Sequence, residues 1–335
     1  MHSSGNLQEA QLVTVQTHLS GWKYRALTLS VVVSAIGYLG FSMWGGWDAV
    51  AKSVKEVGLL GLAIALLMSS FNYLLRFVRW QIYLKVLGHA IPWKPSLKIY
   101  LAGFALTTTP GKAGEALRGV LLKPWGMPYR KSFAAFFSER LSDLIGIVLL
   151  TFLGLTLYPD ARPVIIFGAI CIGILIVILS QQKSLEWAEH FIQQKQTRLA
   201  QLINHLIGIF KEAQRCHKID ILLLTTLLAV ISWGAEAVAF YWILTWMGAD
   251  ISLQFATFVY ALAMLAGAVS FMPGGLGGTE AVMVTLLIWN GMHNADAVAA
   301  TVLIRLATLW FAVAIGSVCL SVARTESTPT IIPPT

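Results

Sequence analysis

Long apolar runs alternate with short polar ones along this chain, at a spacing that fits a bilayer. A membrane-spanning helix needs about 20 mainly apolar residues. Six runs meet that length, at 26–44, 57–80, 132–157, 163–180, 219–247 and 295–322. Two further apolar regions, 96–123 and 251–291, are each interrupted by a Pro-Gly break. The first break lies in "TTTPGKAGEALRGVLL" and the second in "VSFMPGGLGGTEAVMVTLL". The arms around the first break are roughly 13 and 11 residues long. At about 1.5 Å per residue, neither crosses a hydrocarbon core of about 30 Å. The pattern predicts an all-α polytopic membrane protein with six full spans plus two re-entrant helical hairpins, 96–123 and 251–291. The longer first arm of the second hairpin leaves full spanning open there.

Segment 183–217 differs. Leu185, Ala188, Ile192, Leu199, Leu202, Ile203, Leu206 and Phe210 recur near helical spacing among Lys, Glu, Gln and His. This predicts an amphipathic helix, or a pair of them, on the membrane surface. A soluble helical hairpin packed on other loops is the alternative.

The two broken regions are related. Pro110, Gly111 and Gly114 align with Pro273, Gly274 and Gly277. After a two-residue insertion Glu115 aligns with Glu280, and the same new offset sets Arg140 on Arg305. Upstream, "YLLRFVRWQIYLKVLG" matches "WGAEAVAFYWILTWMG" in aromatic content, pairing Arg76 with Glu236. The chain thus divides into a polar tail (1–19), a first repeat (20–158), a second repeat (159–325) and a C-terminal tail (326–335). Each repeat crosses the membrane an odd number of times, so the two insert with opposite orientation. Inverted repeats with broken helices near the midplane recur in transporters.

Composition agrees with this reading. Of the 335 residues 57% are hydrophobic and 12% charged, against roughly 25% charged in soluble domains; the mean hydropathy is +0.71. The net charge of +8 does not point to nucleic acid, because the basic residues are spread through loops between apolar runs. There they set orientation. One set of loops holds most of the Lys and Arg, Arg79 included, and the opposite set only Lys52, Lys55 and Arg162. The positive-inside rule makes the first set cytoplasmic. Both termini are then cytoplasmic, and the expected compartment is a bacterial cytoplasmic (inner) membrane. The polar N-terminus has no signal-peptide core, and the first apolar run reads as a retained span. Three cysteines, Cys171, Cys216 and Cys319, give no disulfide framework.

Ionisable residues inside spans are costly and usually functional. Here they are Arg76, Lys112, Glu115, Arg118, Glu139, Arg140, Asp143, Glu236, Glu280 and Arg305. Non-helical backbone at membrane depth needs protein or a water-filled cavity around it. Pro ends one arm, Gly allows the reversal, and the second arm starts with N–H groups able to bind an anion such as phosphate. Gly111, Gly114, Gly274, Gly275 and Gly277 (with Gly278) let a headgroup approach the backbone. Arg140 and Arg305 can hold a phosphate bidentately. Glu139 and Asp143 share a helix face, with Arg140 three residues before Asp143. The other reading of Glu115–Arg140 and Glu280–Arg305 is a pair of buried ion pairs locking each hairpin to its helix.

"TPGKAGEALRGVLL", "SERLSDLIGIVLL" and "MPGGLGGTEAVMVTLL" resemble the signatures of the lysylphosphatidylglycerol synthase transmembrane-region family, also called flippase-like or UPF0104 proteins, over roughly 25–322. The resemblance implies movement between leaflets of a lipid with a polar or charged headgroup. The family includes the flippase half of the enzyme that makes and flips aminoacylated phosphatidylglycerol. No aminoacyl-transfer or glycosyltransferase domain accompanies the motifs here, so the usual clue to the lipid is missing.

The expected function is a flippase or scramblase for an anionic lipid: a polyprenyl phosphate, a glycolipid or a phospholipid. Lipid-linked-glycan enzymes are candidate partners, and no cofactor or metal is expected. One alternative is a secondary transporter of a small soluble anion. Another is an intramembrane enzyme, for which neither HExxH nor a serine or cysteine with a nearby histidine base is visible.

Overall fold

In the computed structural model, the described residues are 47–109, 113–152, 197–270 and 272–325, with scattered positions between 29 and 40 and between 162 and 190; side chains at 113–116, 198 and 322–325 are not described. The run expected at 163–180 lies largely outside them. All regular structure among the described residues is helical.

The first long helix, α1 (Trp47–Val86), has a break at Gly58 (φ 66°). It ends at a left-handed Gly88. The first broken region follows as α2 (Trp93–Ala102), a 3-10 turn over Gly103–Leu106, and α3 (Ala113–Leu122). At 10 residues each, α2 and α3 reach about 15 Å, half a bilayer core. Next comes α4 (Tyr129–Thr151). The second half holds α5 (Arg198–Ala213), α6 (Ile219–Trp246), α7 (Leu253–Val269), α8 (Gly278–Trp289), α9 (Asn294–Arg305) and α10 (Phe311–Thr325). A π-helical step over Leu306–Trp310 joins α9 to α10.

Among the described residues, three helices are long and apolar enough to cross a membrane: α1, α6 and the run Asn294–Ser321. Outward leucines mark them as lipid-facing: Leu59, Leu60 and Leu67 on α1, Leu223 and Leu227 on α6. Their hydroxyl residues bond back to carbonyls one turn earlier, Ser69 to Ala65, Thr225 to Ile221 and Thr308 to Ile304. The bonds satisfy these buried hydroxyls within their own helices.

Small residues set the helix packing. Gly61 lies against Trp246, Asn72 Nδ2 donates to the Ser232 carbonyl at 2.9 Å, and Arg76 stacks on Trp233. Gly61 meets Trp246 while Asn72, 11 residues later on α1, meets Ser232, 14 residues earlier on α6, so the two helices are antiparallel. Gly146 on α4 meets Ala229 and Ser138 meets His217, so α4 and α6 run parallel. The first arms are exchanged: α2 packs on α10, and α7 on α4. A β-carbon on Gly316 of α10 would lie 2.2 Å from the Ala105 nitrogen, so no larger residue fits there.

Within expected segment 183–217, α5 packs through Ile209 and Ala213 into the core around Trp80, Tyr83 and Tyr100. On its other side Leu199, Leu202 and Leu206 are exposed.

Candidate functional site

Helix boundaries recur between the halves. Left-handed Gly88 and Gly248 close α1 and α6 with the same bond pattern. Gly126 and Gly291 do likewise after α3 and α8. Glu115 and Glu280 are each the third residue of their arm. Arg140 and Arg305 are each the twelfth residue of their helix. The equivalent positions nevertheless have different surroundings.

In the first half, α4 presents Glu139 and Asp143 one turn apart to α1 and α3. Asp143 Oδ1 accepts from Arg79 Nη2 at 2.6 Å and from Trp233 Nε1 at 3.0 Å. Its Oδ2 lies 2.9 Å from Arg140 Nη2 and 3.4 Å from Arg76 Nη2. Glu139 Oε2 accepts from Arg118 Nη1 at 2.9 Å and Oε1 from the Tyr100 hydroxyl at 3.1 Å. Arg118 also lies over the Tyr100 ring, 4.3 Å from its centroid, in space left by Gly103, whose β-carbon would meet its Nε at 2.4 Å. Arg79 and Glu139 are fully buried. Among the described residues, four guanidiniums face two carboxylates, an excess of two positive charges. Arg76 Nε, Arg79 Nε and Nη1, and Arg118 Nε find no acceptor among the described residues.

At the equivalent place in the second half, the described residues form a single ion pair. Arg305 Nε donates to Glu280 Oε1 at 2.7 Å and Nη2 to the Gly274 carbonyl at 2.7 Å. Glu280 Oε2 accepts from the Gly277 N–H at 2.6 Å. The start of α8, expected to offer free N–H groups, is therefore capped by its own carboxylate. Gly274, Gly275 and Gly277 all have positive φ, a conformation other residues rarely adopt. The two breaks meet: a β-carbon on Gly274 would lie 3.2 Å from Thr108 Cγ2. Glu236 is buried on α6 and accepts from the Tyr260 hydroxyl at 2.6 Å.

Of the expected site residues, Arg76, Arg118, Glu139, Arg140 and Asp143 come together. Glu280, Arg305 and Gly274 form the second cluster. Gly111 and Lys112 lie outside the described residues, and Gly114 and Glu115 are placed by backbone only. Arg140 meets Asp143, as the three-residue spacing suggested, and the pairing expected between Arg140 and Glu115 involves a side chain outside the described ones. Arg79 is a correction. Grouped with the loop charges, it sits in the centre of the cluster. Its signal was its place one helical turn after Arg76.

His217 is buried, with Nε2 3.2 Å from Ser138 Oγ. A serine does therefore have a histidine beside it. The His217 Nδ1 has no partner among the described residues, and Ser138 is buried, so neither an orienting acid nor access for a substrate accompanies the contact.

A polytopic helical membrane protein with charged clusters beside broken helices is the class these features define. Residues 27–316 match the family of the lysylphosphatidylglycerol synthase TM region. The chain belongs to that family. A UPF0104 membrane protein of Pyrococcus horikoshii is 26% identical over 321 residues, covering 87% of this chain and 95% of that one. Another, of Methanothermobacter thermautotrophicus, is 22% identical over 311 residues, covering 85% and 92%. Neither name states an enzymatic activity, and both relatives are archaeal.

Proposed function

We propose that the protein moves a lipid with an anionic headgroup between leaflets, as a flippase or scramblase built from two inverted repeats with re-entrant hairpins. The observation that carries this reading is the excess of guanidiniums over carboxylates, four to two among the described residues, where Arg76, Arg79, Arg118 and Arg140 meet Glu139 and Asp143. A phosphate supplies negative charge and the acceptors that Arg76, Arg79 and Arg118 lack among the described residues. Other features support the inverted arrangement. Helices α1 and α6, equivalent by their glycine ends, pack antiparallel, and Asn72 bonds to Ser232, the residue at its own equivalent position. Self-contact of that kind is what a two-fold relation produces. The distribution of basic residues supports cytoplasmic termini. The exposed leucines of α5 support its lying on the membrane surface.

Arg76→Gln tests the function. It removes one charge of the excess, while Asp143 keeps Arg79 and Arg140. In proteoliposomes we expect a folded protein whose transport of phosphatidylglycerol falls at least about tenfold, the scale of one lost charge-assisted hydrogen bond. A wild-type rate in this variant, or equal wild-type transport of zwitterionic lipids, would sink the anionic-headgroup reading.

A further inference from the structure

Four described carboxylates are buried at membrane depth, and three are neutralised by arginine. Glu139 has Arg118 at 2.9 Å, Asp143 has Arg79 at 2.6 Å, and Glu280 has Arg305 at 2.7 Å. Glu236 is the exception. It is as buried as the others, its hydrogen-bond partner is the uncharged Tyr260 hydroxyl at 2.6 Å, and no cation stands at ion-pair distance among the described residues. An ionised carboxylate in such a place is costly. Removing the charge by a proton is the alternative to pairing it.

The surroundings give that proton a use. Tyr260 from α7 bonds Glu236, and Tyr73 and Arg76 from α1, Asp143 from α4 and Arg305 from α9 act on it through space. The turn before α6 carries His217, but 19 residues of helix put it about 28 Å away. Asp143 is already engaged by three guanidiniums. Arg76 and Arg305 therefore remain as the cations Glu236 can influence, one from each cluster. Glu236 lies at the position equivalent to Arg76 in the other half. As an anion it competes with a phosphate for Arg76, and as a neutral acid it does not.

Resting on the lipid-transport reading, we infer that Glu236 is an exchangeable proton site that couples movement of the anionic lipid to movement of a proton. Proton and headgroup bind together. The proton comes from water on the loading side, rests on a Glu236 carboxylate oxygen beside Tyr260, and leaves on the other side after the headgroup. Glu236 then makes its weak contact with Arg76 and Arg305 until the next proton arrives.

The test uses the full chain in proteoliposomes containing acyl-labelled phosphatidylglycerol, with a pH-sensitive dye inside. Lipid movement in the wild type should be accompanied by proton movement. A gradient of one pH unit should shift the leaflet ratio by about tenfold for one coupled proton. Glu236→Gln should abolish proton movement and the response to the gradient, and Glu236→Asp should keep both. Lipid transport without protons in the wild type, or protons still moving with lipid in the Gln variant, overturns the coupling alone. No lipid transport by the wild type overturns the transport reading and the coupling with it. If the Gln variant carries neither, calorimetry of phosphatidylglycerol binding in buffers of different ionisation enthalpy decides. Proton uptake on binding in the wild type only supports the assignment, and equal uptake in both overturns it.

Discussion

The charged cluster of the first half and the ion pair of the second occupy equivalent helix positions and are built on opposite principles. In the first, Asp143 is shared by Arg76, Arg79 and Arg140, and Glu139 is held by Arg118 and Tyr100. Each carboxylate has a substitute partner if one is lost, and positive charge is left over. In the second, Glu280 and Arg305 neutralise one another and staple the break through the Gly277 N–H and the Gly274 carbonyl. Redundancy with excess charge suits a place where a ligand comes and goes. A balanced pair with backbone bonds at both ends suits a fixed corner. An arginine at the twelfth position of a helix is thus compatible with either role, and its neighbours decide which it has.

Breaking each cluster at its equivalent arginine should separate the two sharply. Arg305→Gln leaves Glu280 buried without a cation and frees the Gly274 carbonyl. Removing one partner of a buried pair costs about 3–5 kcal/mol. Arg140→Gln should cost only about 1 kcal/mol, because Asp143 keeps Arg79 at 2.6 Å and loses a partly exposed neighbour. Thermal melting in detergent compares them, and adding Glu280→Gln to Arg305→Gln should restore most of the loss. Equal destabilisation by the two single changes would erase the distinction drawn here.

The two broken regions are also braced differently. The first is backed by a separate helix: α10 reaches the Gly103–Leu106 turn at Gly316, whose β-carbon would lie 2.2 Å from one backbone atom and 2.6 Å from another. In the second, the brace is internal. Gly267 on the first arm touches the Gly275 backbone and the Thr279 hydroxyl. Gly316→Ala should therefore force α10 away from the first broken region, at about 1–3 kcal/mol for an overpacked contact. Gly267→Ala should disturb the second broken region alone. Cysteine cross-linking between α2 and α10 would report the first displacement. Unchanged cross-linking in Gly316→Ala would show that the helix does not brace the first broken region.

Sequence pattern carried much of this architecture because its signals are local. The ends of α1 and α6 follow from Gly88 and Gly248, and the ends of α3 and α8 from Gly126 and Gly291. The alternative reading of Glu280 and Arg305 as a buried ion pair matches the contact found. Contacts set by tertiary geometry were not legible. Arg118 meets Glu139 across two elements, and His217 meets Ser138 from 79 residues away. Arg79 was hidden for a different reason. A charge near the end of an apolar run looks like a loop charge, and only the continuation of α1 to Val86 puts it inside. The capping of α8 by Glu280 was also unseen, since the spacing that suggests an open anion site equally lets a carboxylate three residues on fill it.

The smallest effect expected lies outside the spanning helices, where the halves join. His217 sits on the 3-10 turn Gln214–His217 between α5 and α6, and burial pushes its pKa down from 6.5 to about 4. Cys216 beside it is pushed up to about 12 by burial, so it stays a thiol throughout and adds nothing at acid pH. Above pH 6.5 the imidazole is neutral whether the chain is folded or unfolded, and its contribution is complete. As the pH falls below 6.5 the unfolded chain takes up the proton first, so the folded state loses ground until about pH 4. Between pH 6.5 and 5.5 the loss is about 1 kcal/mol, the value of one pH unit for one proton. His217→Gln removes the titration while keeping a group able to bond Ser138. Its melting temperature should fall less than that of the wild type as the pH goes from 7.5 to 5.5, with the Arg76–Arg118 cluster untouched in both. Parallel slopes for the two proteins would mean that His217 takes up its proton as readily folded as unfolded, and that the turn at the head of α6 does not shield it.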